Sequence, residues 1–454
     1  MTSLTHFNPS ELADTYEQIA LKAIEQARYM GADEAACVMS AAVGIDLTVR
    51  QQDVETFESV QEHGLSIQVY VGQCSGAAST TDLSPESVHE AVSAALAIAR
   101  QTQADEAAGL PDPAWYAEHR DTSVLETSHP QDWPVEVMIQ KALEAERAGL
   151  GVDRAIKQCE GIQIGYGGKM RLLADSQGFL GWQANTRYGA SATFLAQSDE
   201  GMQRDFDYES SLVLSELGDL SDMAIRAAKK ARARLNPKKP PIGRFPVIFS
   251  PWMARGVWGH LLSAISGTKI YQKTSFLIDK LDQRLFPEWL SVWERPHLPK
   301  ESGSALFDSE GVATKEKALI DAGRLKTYLL SSYSARRLGM ASTGNAGGVH
   351  NLRLEGKTQS VSDMMQSIGS GLLVTELMGQ GVNLVTGDYS RGASGFWIEN
   401  GEVAFPVAQI TIAGNLSDMF KNIQALGSDI DSRGNVHTGS LLIDGMTVGA
   451  NNEV

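Results

Sequence analysis

Cysteine is scarce in this 454-residue chain, and the three that occur are far apart in the sequence. Cys37, Cys74 and Cys159 form no CxxC pair, and their number is odd. The sequence therefore argues against a disulfide framework and against a zinc site made of cysteine pairs, and it favours a reducing compartment.

Long apolar runs are missing as well. No hydrophobic stretch approaches the roughly 18 residues that a membrane-spanning helix needs. The segment MTSLTHFNPSELAD at the start of the chain lacks the basic and apolar regions of a secretory signal. We therefore expect a cytoplasmic protein without a membrane partner.

Basic residues are outnumbered by acidic ones. The chain has 39 Lys and Arg against 55 Asp and Glu, which gives a formal net charge of -16. Such a chain repels the phosphates of nucleic acids, so direct binding of DNA or RNA is not expected. The basic run between Lys229 and Arg244 is interpreted as the end of a helix followed by a linker, because cations complement the carbonyl end of a helix.

Regular hydrophobic spacing in the first half predicts helices and half-buried strands. A helix over 8–29 begins with Asn and Pro, a pair that is typical of a helix start. Extended segments are predicted near 36–49 and 65–71, and in the second of them apolar residues alternate with polar ones. A hairpin is predicted over 161–195, with Gly178 in its turn.

The second half is rich in glycine and in short β-like runs. A buried strand is predicted over 245–250, and a helix follows from Pro251 to about Ile265. Asn400-Gly401, between two apolar runs, is a strong hairpin signal. A further helix is predicted from 414 to about 426.

These patterns predict an α+β protein. An N-terminal α+β domain with hairpin sheets and helices spans 1–235, a basic proline-rich linker spans 236–244, and a β-rich domain with few helices spans 245–454. Glu62-His63-Gly64-Leu65 and Ser176-Gln177-Gly178-Phe179 precede similar extended runs. They leave a weak internal duplication of the first domain open.

Common catalytic motifs are absent. His89-Glu90 is the one His-Glu pair, and Ser93 stands where a zinc protease of the HExxH type needs its second histidine. Gly392-Ala393-Ser394-Gly395 lacks the fifth position of a serine-hydrolase elbow. The carboxylates of the C-terminal half are interpreted as surface or structural groups, because spacing alone pairs none of them as general acid and base.

Four segments carry a specific resemblance to a known family. They are GDYSRGASGFWIENGE at 387–402, ITIAGNL at 410–416, VTELMGQG at 374–381 and SYSAR at 332–336. With them the chain resembles the TldD/PmbA family of metalloproteases over nearly its whole length, and within that family the PmbA (TldE) type.

The resemblance implies a role in a two-subunit zinc protease of the cytoplasm. The partner would be a TldD-type catalytic subunit, and the substrates would be unfolded peptides, as in maturation of a microcin precursor and degradation of an antitoxin. An older name for such proteins is modulator of DNA gyrase. Self-association in the absence of the partner is left open.

The catalytic positions of the TldD type are mostly lost. That type has an HExxxH motif and a cysteine ligand near the C-terminus; His260 matches the first histidine, Leu261 the glutamate, Ile265 the second histidine and Thr438 the cysteine. A catalytic zinc ion needs about three protein ligands and a general base beside its water. We therefore expect no catalytic residue and no zinc in this chain, with zinc in the partner subunit; His437 is the remaining candidate for a substitute ligand.

Seven residues of the resembling segments have no assigned role at this point. They are Glu376, Asp388, Tyr389, Ser390, Arg391, Gly392 and Asn415. Two alternatives to the partner-subunit hypothesis stay open: a stand-alone hydrolase with an unrecognised site, and a protein that binds and modulates DNA gyrase.

Overall fold

The structure is a computed structural model that describes residues 7–450. Its described part has an α+β fold in which helices and three β-sheets are mixed, as predicted. No helix within residues 7–450 is long and apolar enough to cross a membrane.

The first half forms one antiparallel sheet covered by helices on one face. In chain order its elements are α1 (Pro9–Tyr29), β1 (Glu34–Arg50), β2 (Asp53–Val71), β3 (Cys74–Thr80), α2 (Pro85–Ala99), α3 (Val135–Leu150), β4 (Ile156–Asp175), β5 (Leu180–Ser198), β6 (Gly201–Ser211) and α4 (Leu220–Ala233).

The strands of this first sheet lie in the order β3-β2-β1-β4-β5-β6. Every second residue of the central strands is buried beneath α1 to α4, and the alternate residues form an open face. This one-sided burial is the reason for the period-two pattern in the sequence. The predicted helix over 8–29 and the predicted hairpin over 161–195 are confirmed.

The turn between β4 and β5 shows how the sequence specifies this hairpin. The Asp175 carboxylate accepts hydrogen bonds from the backbone N–H groups of Gln177 (2.8 Å) and Phe179 (3.1 Å). Gly178 has φ +95°, which side chains other than glycine rarely adopt. Residues 62–65, which echo 176–179 in sequence, lie in the middle of β2, so the two segments hold different positions in the fold.

The second half contains two further sheets. Its elements are β7 (Gly243–Phe249), α5 (Pro251–Ala264), α6 (Gly267–Tyr271), β8 (Ser291–Glu294), β9 (Lys317–Asp321), β10 (Arg324–Leu325), α7 (Ser332–Leu338), β11 (Leu352–Glu355), β12 (Thr358–Gln359), α8 (Val361–Ile368), β13 (Gly371–Met378), β14 (Asp388–Glu399), β15 (Glu402–Asn415), α9 (Leu416–Lys421), β16 (Ile423–Gly427), β17 (Val436–His437) and β18 (Leu441–Ala450).

The larger of these sheets closes on itself. It runs β12-β16-β18-β15-β14-β13-β7, and β18 also pairs with β7. The five strands β7, β13, β14, β15 and β18 therefore form a barrel, whose closure removes two sheet edges. The hairpin predicted at Asn400-Gly401 is confirmed as the connection of β14 and β15.

One helix prediction is wrong in extent. The helix that begins after Asn415 ends at Lys421, and Ile423–Gly427 forms the strand β16 instead of continuing to residue 426. Ile423 and Ala425 are buried, and β16 pairs with β18. A short apolar run has the same local pattern in a buried helix and in a buried strand, so pairing with a distant strand decided its structure.

The segment between α4 and β7 crosses from one half to the other without regular structure. The predicted linker, 236–244, overlaps this segment, and β7 begins within it at Gly243. The largest hydrophobic core of each half is built from residues on its own side of the segment. Residues 103–134 also reach the second half, where the backbone N–H of Lys300 donates to the carbonyl of Leu125 (2.8 Å).

Candidate functional site

Two of the positions that match the TldD-type zinc motif, His260 and Leu261, lie in helix α5, and a third, Ile265, directly follows it. Pro251 at its first turn suits a helix start. Leu261 lies on the buried face of α5, and Ile265 follows the last helical residue; both are packed in the core of the second half. Neither side chain carries an atom that binds a metal ion.

His260 lies half-buried at the border of that core. Its ring is 5.9 Å from the ring of Tyr389 at 75°, an edge-to-face contact. Burial, together with the positive charge of Arg391, lowers the pKa of His260. The imidazole is therefore neutral near pH 7 and packs against β14.

Thr438, at the position of the cysteine ligand, is buried, and its hydroxyl makes two hydrogen bonds. Its hydroxyl accepts a hydrogen bond from Nε1 of Trp258 (3.1 Å) and donates one to the carbonyl of Gly439 (2.9 Å). The side chain thus joins α5 to the segment after β17. The hydroxyl keeps one further acceptor lone pair, but it is neutral and uses its proton in the bond to Gly439, so it is a far weaker zinc ligand than a cysteine thiolate.

His437 does not complete a metal site with His260. Its Nε2 lies 3.1 Å from the Glu301 carboxylate, beside Arg353. The pKa of His437 is lowered, first by burial and then by the positive charge of Arg353. The negative charge of Glu301 acts in the opposite direction but does not outweigh them. Among residues 7–450 no group of three or more His, Cys, Asp or Glu side chains is arranged to hold a metal ion. The side chains at the motif positions do not fit a catalytic zinc ion, which takes about three protein ligands.

Asp388 and Asn415, two residues of the segments that resemble the family, stabilise the turn before β14 and the start of α9. Asp388 accepts a hydrogen bond from the hydroxyl of Thr386 (2.6 Å) and lies 3.3 Å from Nδ2 of Asn415, its partner across β14 and β15. Asn415 also caps α9 by accepting from the N–H of Ser417 (3.0 Å). These two residues fix the start of α9.

The neighbouring residues of β14 hold the segment that follows β13. The backbone N–H of Ser390 donates to the carbonyl of Gly381 (2.6 Å), and Nε of Arg391 donates to the carbonyl of Met378 (3.3 Å). Gly392 is opposite Met378 in the β13–β14 pair, and the buried Tyr389 contacts His260. This part of the motif therefore builds the barrel wall.

Glu376 links the two halves of the chain. It forms a hydrogen-bonded ion pair with Arg234, which also lies 3.3 Å from Asp205 on β6. Arg234 belongs to the basic run between Lys229 and Arg244, and Lys230, in the part of this run that lies within α4, contacts Asp207 (3.3 Å). Acidic groups of β6 thus pair with two residues of the basic run, Lys230 and Arg234.

A long cleft separates the open face of the first sheet from the second half. Three cavities of about 680, 820 and 920 Å³ adjoin one another through shared lining residues, and together they are called the central cleft. Arg187 borders the first and third, Trp252 the second and third, and Arg433 the first and second. Its size suits an extended polypeptide rather than a small molecule alone.

Glycines pair across strands in the floor of the central cleft. Gly44 of β1 is opposite Gly167 of β4, and Gly165 is opposite Gly189 of β5. A Cβ on Gly44 would lie 2.7 Å from the carbonyl oxygen of Tyr166, which is closer than side chains approach backbone. The glycines permit this close strand packing and leave the floor without projecting side chains at these four positions, whereas charged groups such as Asp46, Lys169 and Arg187 line the floor around them.

Ion pairs hold one wall of the central cleft in place. Arg433, from the loop before β17, contacts Asp207 of β6 (3.1 Å) and Asp431 (3.0 Å). Its guanidinium also lies 3.9 Å above the ring of Tyr208. The loop that precedes Thr438 is therefore anchored to an edge strand of the first sheet.

Sequence reasoning missed these wall residues. They come from segments that are distant along the chain, so no local motif contains them. A signal was present in Asp205-Phe206-Asp207-Tyr208-Glu209, where acidic and aromatic residues alternate. In the structure the acidic residues meet the cations of α4, and the aromatic ones contact Trp252 at the central cleft.

Two proteins named as metalloproteases match the chain over most of its length. It is 42% identical over 430 residues to the metalloprotease PmbA homolog of Haemophilus influenzae, covering 94% of this chain and 95% of the relative. It is also 42% identical over 416 residues to the metalloprotease PmbA of Escherichia coli O157:H7, covering 92% of each.

A solved structure has the same fold. A protein of Bacteroides thetaiotaomicron, whose structure bears the name of a DNA gyrase modulator, superposes with a TM-score of 0.91 at 27% identity, over 96% of this chain and 99% of that one. The sequence profiles of the PmbA/TldA metallopeptidase match domain 1 at 36–99, the central domain at 128–235 and the C-terminal domain at 242–450. The chain therefore belongs to the PmbA/TldD metallopeptidase family.

Proposed function

We propose that this chain is the non-catalytic subunit of a zinc metalloprotease and pairs with a TldD-type subunit that supplies the zinc. The observation that carries the proposal is that side chains unsuited to binding zinc occupy the positions of the TldD-type zinc motif. Leu261 and Ile265 are core residues, and the hydroxyl of Thr438 is engaged by Trp258 and Gly439. Without a carboxylate and a ligand set, the site has neither a metal-bound water nor a base to activate it.

The contribution of this chain would be to bind and enclose the peptide. The central cleft is long, and its floor between β1, β4 and β5 lacks projecting side chains at the paired glycines. An extended, unfolded peptide fits such a surface better than a folded protein does. Substrates of this kind in the cytoplasm include a microcin precursor and an antitoxin, which the family resemblance implies.

Reconstitution with a TldD-type partner tests the proposal. The purified chain, dialysed without chelator, is expected to contain far less than one zinc ion per molecule by elemental analysis. It should leave an unfolded peptide uncut when alone and support chelator-sensitive cleavage when the partner is added. The partner alone serves as the matched control, and cleavage by the pair should exceed it.

Other outcomes would identify the alternatives. Near-stoichiometric zinc in the isolated chain would contradict the loss of the metal site. Cleavage by the chain alone, unaffected by chelator, would indicate a stand-alone hydrolase with a different site. An effect of the chain on DNA supercoiling by gyrase, without any effect on peptide cleavage, would favour the gyrase-modulator function.

A further inference from the structure

The part of the central cleft beside β6 has an apolar wall. Phe206, Trp252 and Ile430 line its cavity of about 820 Å³ with Tyr208 and Phe396, and these five residues are called the aromatic pocket. Phe206 is 40% exposed, Trp252 43% and Ile430 59%. Large apolar groups that face a concave space in this way are typical of a binding site.

Contacts within the aromatic pocket hold its rings in fixed positions. The Trp252 ring lies 6.0 Å from Phe206 at 80° and 5.2 Å from Tyr208 at 64°, both edge-to-face arrangements. The guanidinium of Arg255 covers Trp252 at 5.2 Å, and that of Arg433 covers Tyr208 at 3.9 Å. The pocket is therefore pre-organised, which lowers the entropic cost of binding.

The backbone edge of β6 is already blocked. Three carbonyls on its outer edge accept hydrogen bonds from charged side chains. The carbonyl of Arg204 accepts from the Arg234 side chain (3.1 Å), that of Phe206 from Lys230 (3.4 Å) and that of Tyr208 from Arg433 (2.5 Å). Charged side chains on an edge prevent the addition of another strand. A peptide at this place is therefore recognised through a side chain and not through strand pairing.

The charges around the aromatic pocket are largely compensated within the protein. Asp207 contacts Arg226 (2.6 Å), Lys230 and Arg433, and Asp431 contacts Arg433 and Arg255. An ionic side chain that entered would lose its hydration without meeting a free counter-ion in this group. The chemistry of the pocket therefore favours an uncharged, bulky apolar side chain.

We infer that the aromatic pocket binds one large apolar side chain, such as Phe or Leu, of an extended peptide in the central cleft. The pocket would then set substrate preference through the non-catalytic subunit. This inference rests on the proposed function, because it takes the occupant of the cleft to be a peptide. Continuity of the pocket with the rest of the cleft through Trp252 and Tyr208 supports that occupant.

A pair of labelled peptides tests the inference. Both are unstructured Gly/Ser/Thr decapeptides with a terminal fluorescein, and they differ in one central residue, Phe or Ala. Fluorescence anisotropy measures their binding to the chain alone and to its complex with a TldD-type partner, with chelator present to prevent cleavage. The Phe peptide should bind roughly tenfold or more tightly than the Ala peptide.

Variants locate the effect. Trp252→Ala and, separately, Ile430→Ser should bring the two peptides within about twofold by weakening the Phe peptide and leaving the Ala peptide unchanged. Ile430 is the more exposed residue, so this second variant preserves the test if Trp252→Ala fails to fold. Phe57→Ala, which removes an aromatic ring 49% exposed on β2, is the matched control and should retain the full preference.

The possible failures differ from one another. Equal binding of both peptides to the unaltered chain, or equal weakening of both by the folded variants, would overturn the pocket assignment and leave the proposed function standing. Absence of binding for both peptides, in the chain and in the complex, would overturn the peptide cleft and with it the proposed function.

Discussion

Trp258 and Thr438 are joined by a buried hydrogen bond, in which the indole Nε1–H donates to the threonine hydroxyl over 3.1 Å. The bond connects α5 with the segment after β17, 180 residues away along the chain. The family resemblance implies that these two segments correspond to the zinc-binding parts of a TldD-type subunit. In this chain a structural contact therefore connects the segments that a metal ion would otherwise bridge.

Thr438→Val should destabilise the protein by removing the acceptor of this bond. Valine keeps the shape but leaves the Trp258 N–H buried without a partner, which costs about 1–3 kcal/mol. Urea unfolding measures the change. In a Trp258→Phe background the donor is gone, so the same substitution should cost less; an equal cost in both backgrounds would show that the hydrogen bond contributes nothing.

Local features of the fold were predictable because they depend on neighbouring residues. The period-two burial of β4 and β5, the start of helix α1 at Pro9 and the Asn400-Gly401 hairpin follow from patterns within a few residues. The strand β16 was missed because its pairing with β18 is not local.

The candidate site was predictable only in part, for the same reason. Resemblance to the family pointed to His260, Leu261, Ile265 and Thr438, and their residue types predict the loss of a zinc site of the TldD type. The central cleft was not predictable, because its wall joins Asp207 to Arg433, 226 residues away. Such a contact exists only after both halves have folded and docked.

His260→Ala should leave peptide cleavage by the reconstituted complex nearly unchanged. The ring packs against Tyr389 and faces no metal ligand, so its loss should cost stability of about 1 kcal/mol. A group that acts in the transition state contributes a factor of about a hundred or more. The cleavage rate is measured together with the melting temperature and with complex formation by size-exclusion chromatography. A hundredfold loss of rate with folding and assembly intact would assign His260 to the chemistry.

The three thiols should differ in reactivity. Cys37 and Cys159 are buried, and burial raises the pKa of each thiol to about 12, so neither forms a thiolate at pH 8. Cys74 lies partly exposed at the start of β3. Titration of the native protein with a chromogenic disulfide reagent should therefore show one fast thiol, and titration in denaturant should show three. Loss of the fast phase in Cys74→Ser would confirm the assignment, and fast reaction of two or more native thiols would contradict it.

Arg433→Gln should weaken the contact between the two halves and reduce the sensitivity of stability to acid. Burial by itself raises the pKa of Asp207 and of Asp431, but hydrogen bonds from Arg226 and Arg433 outweigh it and hold both pKa values below the usual range. A carboxylate with a lowered pKa contributes stability that is present above the unfolded pKa of about 3.9 and is lost as the pH falls through the folded value.

Unfolding by urea at pH 7 and at pH 3 measures both effects of this substitution. At pH 7 the variant should lose about 1–3 kcal/mol, since Asp207 retains Arg226 and Lys230. Between pH 7 and pH 3 the free energy of unfolding of the variant should fall by less than that of the unaltered chain. Without Arg433 the pKa values of Asp207 and Asp431 are lowered less in the folded state, so protonation of these carboxylates costs less stability. Arg204→Gln is the matched control: Arg204 is 70% exposed and lies 3.6 Å from Glu160, so its removal should change stability by less than about 1 kcal/mol. An acid response of Arg433→Gln identical to that of the unaltered chain would show that Arg433 does not hold these carboxylates in their charged form.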